Sequence, residues 1–210
     1  MEAIIRLKPR RGTTILDVGC GAGYLVEVLR KLGFDATGID AFLPEETPHV
    51  RRATLDQVQG KWDIIIFNYS MEHMPDHLGL LRTIADRLTP NGVCITHIPV
   101  VGWAWHNYGT DWIHLDPPRH LIVHSQKSID LAARQAGMEI CDIVHESSAL
   151  TIWGSELYKR DIPLAQGGSD RFTKREIKEF SRTTEMHNRE SQGDIVAFYL
   201  KRAASAENAG

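Results

Sequence analysis

The chain alternates short apolar runs with segments in which apolar residues recur at helical spacing. Residues 63–67 contain an unbroken apolar run, which is typical of a parallel strand buried on both faces. Leu25, Val28, Leu29 and Leu32 form one apolar stripe of a predicted helix. The pattern predicts strands over residues 14–18, 36–40, 50–53, 63–67, 93–98, 138–144 and 195–200.

Further helices are predicted between and after these strands. Apolar residues at helical spacing mark helices over residues 78–88 and 129–136, and Ser125 is placed to cap the second of them. Thr173 and Glu176 have the spacing of a capping box, which predicts the start of another helix. Since strands and helices alternate, the sequence predicts a doubly wound α/β fold with a mostly parallel sheet and helices on both faces.

Two stretches, 99–124 and 145–172, lack clear periodicity and are long for loops. Because long irregular loops are often functional, we expect them to form a lid on the acceptor side of a binding site. The length of 210 residues favours a single domain, which we place at residues 1–202. The small polar residues 203–210 are expected to form a disordered tail.

Composition narrows the class of protein. The formal net charge of -3 provides no basic field for nucleic acid. Three cysteines without CxxC spacing indicate no disulfide framework and fit a reducing cytoplasm. No apolar run approaches the ~18 residues of a membrane span, and no signal-peptide pattern begins the chain. We therefore expect a cytoplasmic protein without a membrane span.

A glycine-rich loop, residues 19–23, joins the first predicted strand to the first helix. Glycines let a ligand lie against the backbone, and open α/β sheets bind ligands outside the carboxyl ends of their strands. Asp40 ends the second strand, where a carboxylate can accept hydrogen bonds from both ribose hydroxyls. Together these features predict a nucleoside ligand.

Two residues distinguish between nucleoside ligands. Tyr24 occupies the position at which a dinucleotide site favours glycine or alanine. The carboxylate of Asp17 suits a ligand that carries a sulfonium and an ammonium, and it would repel a pyrophosphate. A methyl donor is therefore favoured, and a nicotinamide-dependent oxidoreductase remains the alternative.

The chain resembles class I S-adenosylmethionine-dependent methyltransferases in motifs that follow the family's order. The matching stretches are Leu16-Asp17-Val18-Gly19-Cys20-Gly21-Ala22-Gly23, Gly38-Ile39-Asp40, Trp62-Asp63-Ile64-Ile65, Met71-Glu72-His73-Met74-Pro75-Asp76 and Leu88-Thr89-Pro90-Asn91-Gly92. Residues 103–121 are similar to a small bacterial branch that often accompanies glycan or glycolipid biosynthesis. The resemblance implies a Rossmann-like sheet of seven strands with an antiparallel last strand.

The resemblance also implies a set of cofactor contacts. The glycine loop would hold the methionine end of S-adenosylmethionine, Asp17 would face its amino group, and Asp40 would bind its ribose. Adenine contacts would come from Ala41, Thr54 and Leu55. Many relatives have an acid where this chain has Thr54. The reactive end would lie near Asn68 and Tyr69. The full set is Asp17, Gly19, Cys20, Gly21, Gly23, Asp40, Ala41, Thr54, Leu55, Asn68 and Tyr69.

Methyl transfer is an in-line displacement, so the protein must align the reactants and exclude water. An oxygen or nitrogen acceptor also benefits from a general base, for which the candidates are His106, Tyr108, His120 and His73. The spacing of the histidines at 114, 120 and 124 matches no structural zinc pattern, so no metal ion is expected.

The sequence thus predicts transfer of a methyl group from S-adenosylmethionine to a small-molecule, sugar or lipid-precursor acceptor. A non-catalytic cofactor-binding or scaffolding protein is a second alternative, because only a short segment precedes residue 13. Because this segment is so short, we expect a homodimer or another partner chain to complete the lid.

Overall fold

The computed structural model of the protein describes residues 1–204, and these form seven strands around which seven α-helices pack. The strand order is β3-β2-β1-β4-β5-β7-β6. Strands β1 to β5 are parallel, and β7 runs antiparallel to both of its neighbours. The predicted fold, including the antiparallel last strand, is confirmed. The strands are β1 (Thr14–Val18), β2 (Asp35–Ile39), β3 (Val50–Arg51), β4 (Trp62–Asn68), β5 (Leu88–Pro99), β6 (Met138–His145) and β7 (Ile195–Arg202).

Helices cover both faces of the sheet. In β4, Ile65 and Phe67 belong to the apolar cluster beneath one set of helices, whereas Ile64 and Ile66 belong to the cluster on the opposite face. The apolar run of this strand is therefore buried on both sides, as predicted. The helices are α1 (Glu2–Arg6), α2 (Tyr24–Lys31), α3 (His77–Arg87), α4 (Trp103–Tyr108), α5 (Gln126–Gln135), α6 (Ala149–Tyr158) and α7 (Lys174–Arg189).

Helix α2 packs on the sheet with a different face from the apolar stripe that the sequence predicted. Val26 and Leu29 are buried, whereas Val28 and Leu32 are 44% and 50% exposed. The prediction was wrong for those two residues, because docking on β1 and β2 selects the face one residue away from the longest apolar stripe. The predicted caps of two later helices are confirmed: the side chains of Ser125 and Thr173 accept backbone N–H groups of α5 and α7.

Both stretches expected to be irregular contain helices. Residues 99–124 include α4, and residues 145–172 include α6. Most of the surface of α6 is buried, including Thr151, Ile152 and Ser155. A helix that is covered on most sides shows no amphipathic period, which explains why its sequence gave no helical signal.

Helices α4 and α6, with residues 109–123 between α4 and α5, form a small core of their own, which we call the aromatic layer. It lies where the polypeptide leaves the carboxyl ends of β5 and β6. Its side chains are Trp103, Ala104, Trp105, Tyr108, Trp112, Ile113, Leu115, Val123 and Tyr158.

Residues 1–204 contain no helix that is long and apolar enough to cross a membrane. Of the tail predicted over residues 203–210, residues 205–210 lie outside the described part of the chain.

Candidate active site

A cavity of about 740 Å³ opens at the carboxyl ends of β1, β2 and β4. It reaches from the glycine loop to the segment between β4 and α3. Predicted site residues supply part of its wall, namely Gly19, Asp40, Ala41, Thr54, Leu55, Tyr69 and His73. The wall also contains residues that were not predicted, among them Phe42, Asp56, Ser70, Met74 and Leu80. The described residues that line the cavity do not include the other predicted cofactor contacts, namely Asp17, Cys20, Gly21, Gly23 and Asn68.

The glycine loop keeps its shape because two positions require glycine. Gly19 has φ +75°, and a Cβ there would collide with the side chain of Ser70, whose hydroxyl donates to the carbonyl of Val18 at 2.6 Å. Gly21 has φ +53° with open space where a Cβ would stand. Both values lie in the left-handed region that favours glycine. The loop backbone is therefore accessible to a ligand at Gly21 and fixed against the β4 end at Gly19.

Asp40 ties the glycine loop to the end of β2. One carboxylate oxygen accepts the N–H of Gly21 at 3.0 Å, and the other accepts the N–H of Phe42 at 2.8 Å. A carboxylate has about four lone-pair sites, so two stay available for hydroxyl donors. The Phe42 ring beside it is 93% exposed at the edge of the cavity.

Asp17 is buried near the end of β1, and Cys20 is part of the glycine loop that follows. Burial, together with the nearby Asp40 charge, raises the pKa of Asp17 to about 7. Burial and the same two carboxylates raise the pKa of Cys20 to about 12, so its thiol is a packing group rather than a nucleophile. The thiol packs against Gly38 of β2, where a Cβ would approach its sulfur to 2.6 Å.

Asn68 is the last residue of β4, and both it and the following Tyr69 lie beside His97 of β5. The Tyr69 ring lies 4.6 Å from the His97 ring, and Asn68 Oδ1 is 3.3 Å from His97 Nδ1. Burial lowers the pKa of His97 to about 4 and raises that of Glu146. Although Nε2 of His97 lies 3.2 Å from Glu146, the two shifts disfavour an ion pair, and the contact lacks hydrogen-bond geometry.

A second group contains Glu72, His73 and His120, of which His73 lines the cavity. Nε2 of His120 is 3.9 Å from Glu72 Oε1, and the two imidazole rings are 5.0 Å apart. The backbone N–H of Leu121 donates to the Glu72 carbonyl at 2.8 Å, which joins the segment at residues 116–121 to this group. We call Glu72, His73 and His120 the histidine pocket. Burial raises the pKa of Glu72 to about 7.

Sequence reasoning named both histidines of the pocket as candidate bases and did not assign a role to Glu72. The signal for Glu72 was its place beside His73 in the quoted stretch. The other histidines considered for a metal are engaged elsewhere: His124 contacts His77 and Ser128, and His114 Nε2 lies 3.4 Å from the hydroxyl of Thr151.

The remaining candidate bases belong to the aromatic layer. His106 is exposed on α4. Tyr108 packs within the layer, where burial and the nearby Glu156 carboxylate raise its pKa. The layer is joined to the sheet by Asp194, which accepts the indole N–H of Trp112 at 2.7 Å. Within residues 1–204, the structure brings His73 and His120 together and leaves His106 and Tyr108 apart from them.

Comparison with known proteins agrees with this architecture. A family model described as a methyltransferase domain matches residues 1–143. Ubiquinone biosynthesis O-methyltransferases are similar over part of the chain: that of Albidiferax ferrireducens is 31% identical over 109 residues, which are 44% of this chain and 43% of that protein. That of Caulobacter vibrioides is 35% identical over 101 residues, which are 40% of each. The chain thus spans less than half the length of these curated relatives.

Solved structures share the fold at low sequence identity. The methyltransferase in a complex with the Trm112 activator of Haloferax volcanii superposes with a TM-score of 0.64 at 17% identity, covering 97% of this chain and 88% of that one. An O-methyltransferase of Brevibacillus brevis, solved with S-adenosylhomocysteine, gives a TM-score of 0.60 at 14% identity, covering 97% and 71%. The family model covers more than half of the sequence, and the chain belongs to the class I S-adenosylmethionine-dependent methyltransferases.

Proposed function

We propose that this protein transfers a methyl group from S-adenosylmethionine to a hydroxyl oxygen of a small-molecule acceptor. The observation that carries the proposal is one continuous cavity, which begins at the glycine loop and Asp40 and ends at His73. Its volume of about 740 Å³ lies in the range of small-molecule sites. The relatives named O-methyltransferases support oxygen as the accepting atom.

The residues of the cavity fit the cofactor of this family. The two free lone-pair sites of Asp40 suit the ribose hydroxyls, and the exposed Phe42 ring can cover the adenine. Asp56 lines the cavity two residues after Thr54. We infer that Asp56 accepts the adenine amino group, in place of the acid that many relatives have at the position of Thr54. Asp17, buried near the end of β1, would attract the ammonium of the methionine end.

The chemistry at the far end of the cavity depends on the histidine pocket. S-adenosylmethionine supplies a methyl group on a positively charged sulfur, which is a good leaving group. The acceptor oxygen would form a bond to that methyl carbon as the carbon–sulfur bond breaks, and its own proton must leave. His73 lines the cavity and is therefore placed to orient the acceptor oxygen or take this proton, with His120 behind it.

The proposal is tested by offering the protein isotope-labelled S-adenosylmethionine and a panel of acceptors. The panel contains a catechol, a sugar with free hydroxyls and a primary amine. We expect label on oxygen, identified by mass spectrometry after fragmentation. Label on nitrogen alone would overturn the choice of oxygen, and absence of transfer to every member of the panel would contradict a small-molecule acceptor of these classes.

Cofactor binding is tested separately by calorimetry. Asp40→Ala should weaken binding of S-adenosylhomocysteine by roughly tenfold to a hundredfold, because ribose hydroxyls lose their acceptor. Asp35→Ala is a matched control, since Asp35 is exposed at the opposite end of the same strand and its ion pair with Arg30 is weak. Equal affinity in the two variants would contradict the assignment of Asp40 to the ribose.

A further inference from the structure

Glu72 has an unusual environment for a buried carboxylate. The side chain is 1% exposed, and neither of its oxygens has a hydrogen-bond partner among the described residues. Buried carboxylates in folded proteins are generally hydrogen-bonded, paired with a cation or bound to a metal ion. Within residues 1–204, the carboxylate therefore lacks the compensation that such groups need.

The two histidines beside Glu72 are held in one tautomer. Nδ1 of His73 lies 2.9 Å from the carbonyl oxygen of Arg119, and Nδ1 of His120 lies 2.8 Å from that of His114. A carbonyl oxygen can only accept, so each Nδ1 carries the hydrogen. Each neutral ring then presents its lone pair on Nε2. Metal-binding histidines are oriented in this way, by a carbonyl that fixes the other ring nitrogen.

The ligand atoms of the three side chains already lie close together. One atom from each of Glu72, His73 and His120 can be chosen so that all lie within 4.8 Å of one another, and the Glu72–His120 distance is 3.9 Å. Ligands around a tetrahedral ion stand about 3.4 Å apart when their bonds are about 2.1 Å long. Small side-chain movements would therefore suffice to close the group around an ion.

We propose that Glu72, His73 and His120 bind one divalent transition-metal ion at the edge of the cofactor cavity. Two imidazole nitrogens and one carboxylate suit ions such as Zn²⁺, Fe²⁺ or Co²⁺ better than Mg²⁺ or Ca²⁺, which prefer oxygen ligands. The ion compensates the buried charge of Glu72. Since three side chains do not complete the coordination of such an ion, at least one position stays open, and His73 places that position beside the cavity.

The role of the ion rests on the proposed function. An acceptor hydroxyl bound to the open position would release its proton to water, because a metal ion lowers the pKa of a bound hydroxyl. The resulting oxyanion keeps the electron pair that forms the bond to the methyl carbon. His73 and His120 would then act as ligands, and neither would take the proton itself.

The site is tested by titrating the protein with Co²⁺ in the absence of cofactor and acceptor. We expect one Co²⁺ per chain, seen by calorimetry and by the visible absorption of the protein-bound ion. Glu72→Gln should weaken this binding at least a hundredfold, because the substitution removes the charged ligand and keeps its shape. His49→Asn is the control, since His49 is exposed outside the cavity wall, and it should bind as the unmodified protein does.

His120→Asn provides a second variant should Glu72→Gln fail to fold, which circular dichroism would reveal. No stoichiometric Co²⁺ binding to the unmodified protein, or equal binding in folded Glu72→Gln and His120→Asn, would overturn the site.

The role is tested by methyl transfer after removal of metal with a chelator and after addition of Co²⁺ or Zn²⁺. A rate that falls at least tenfold on chelation and recovers on addition of the metal ion supports the role. An unchanged rate overturns the role, although the metal site measured by the Co²⁺ titration would still stand. Because the Co²⁺ titration uses neither cofactor nor acceptor, its result is independent of whether methyl transfer to oxygen is found.

Discussion

Asp194 and Glu72 are two buried carboxylates with opposite surroundings. Both are 1% exposed. Asp194 accepts hydrogen bonds from Trp112 Nε1 and Ser147 Oγ, each at 2.7 Å, and from Thr151 Oγ1 at 3.1 Å. Glu72 accepts none through its side chain within the described residues. The first carboxylate therefore accepts three hydrogen bonds from the fold, whereas the second is available to a ligand.

The difference separates two regions of the molecule. Around Asp194, side chains from the aromatic layer and from the end of β6 converge on one acceptor, which joins the layer to the sheet. Around Glu72, the imidazoles of His73 and His120 lie near the carboxylate, and none of the described residues donates a hydrogen bond to it. Removing a buried carboxylate that accepts several hydrogen bonds leaves its donors without an acceptor. Removing one that accepts none leaves no donor without a partner. Substitutions at the two carboxylates should therefore have contrasting effects.

The largest effect is expected for Asp194→Ala. The indole N–H of Trp112 and two hydroxyls lose their acceptor, so the free energy of unfolding should fall by about 3–5 kcal/mol. Urea unfolding followed by tryptophan fluorescence measures this change. A loss below about 1 kcal/mol, the size of one ordinary neutral hydrogen bond, would show that Asp194 does not anchor the layer.

Asp17 is a third buried carboxylate. The pH dependence of cofactor affinity tests whether it is available to a ligand, as we propose for Glu72, or serves the fold, as Asp194 does. Burial raises the pKa of Asp17 to about 7. Only the ionised form attracts the cofactor's ammonium, so affinity should rise about tenfold per pH unit up to pH 7 and then level. In the protein without cofactor, the free energy of unfolding has the opposite pH dependence. Protonated Asp17 makes its full contribution to stability below pH 3.8, and this contribution is lost as the pH rises through 7.

Calorimetry with S-adenosylhomocysteine between pH 5 and 8 measures this profile. Asp17→Asn should bind with an affinity that hardly changes across the range. A slope that persists in the variant would assign the titration to another group.

Local patterns allowed much of the sheet to be predicted. The apolar run of β4 and the caps at Ser125 and Thr173 depend on neighbouring residues, and all three are confirmed. Helix α6 was missed because a helix buried on most sides has no amphipathic period. The glycine loop left a methyl donor and a nicotinamide cofactor open, and the family match decides for the methyl donor.

The site was harder to predict because its groups come from distant segments. Glu72 and His120 are 48 positions apart in the sequence and meet where the backbone N–H of Leu121 donates to the carbonyl of Glu72. Asp194 precedes β7 without any local pattern that links it to Trp112. Sequence reasoning therefore found the histidines as residue types and could not find which of them share a pocket.

A smaller effect is expected for Glu72→Gln on stability. Since neither carboxylate oxygen has a hydrogen-bond partner within residues 1–204, replacing the carboxylate by an amide should lower the free energy of unfolding of the metal-free protein by no more than about 1 kcal/mol. The measurement is urea unfolding with a chelator present, in parallel with Asp194→Ala. A loss as large as that of Asp194→Ala would erase the difference between the two carboxylates and show that Glu72 is structural.

The smallest effect is expected for His106→Ala. His106 is exposed on α4, away from the histidine pocket, so the rate of methyl transfer should stay within about twofold and stability within about 0.5 kcal/mol. His120→Ala, measured with the same acceptor, should lower the rate at least tenfold, whether His120 binds a metal or a proton. Separate kcat and KM values are needed, because poorer acceptor binding raises KM alone. A tenfold loss of rate in His106→Ala would mean that the aromatic layer closes over the acceptor during the reaction. The region around Asp194 would then take part in the reaction, and its contrast with the region around Glu72 would no longer hold.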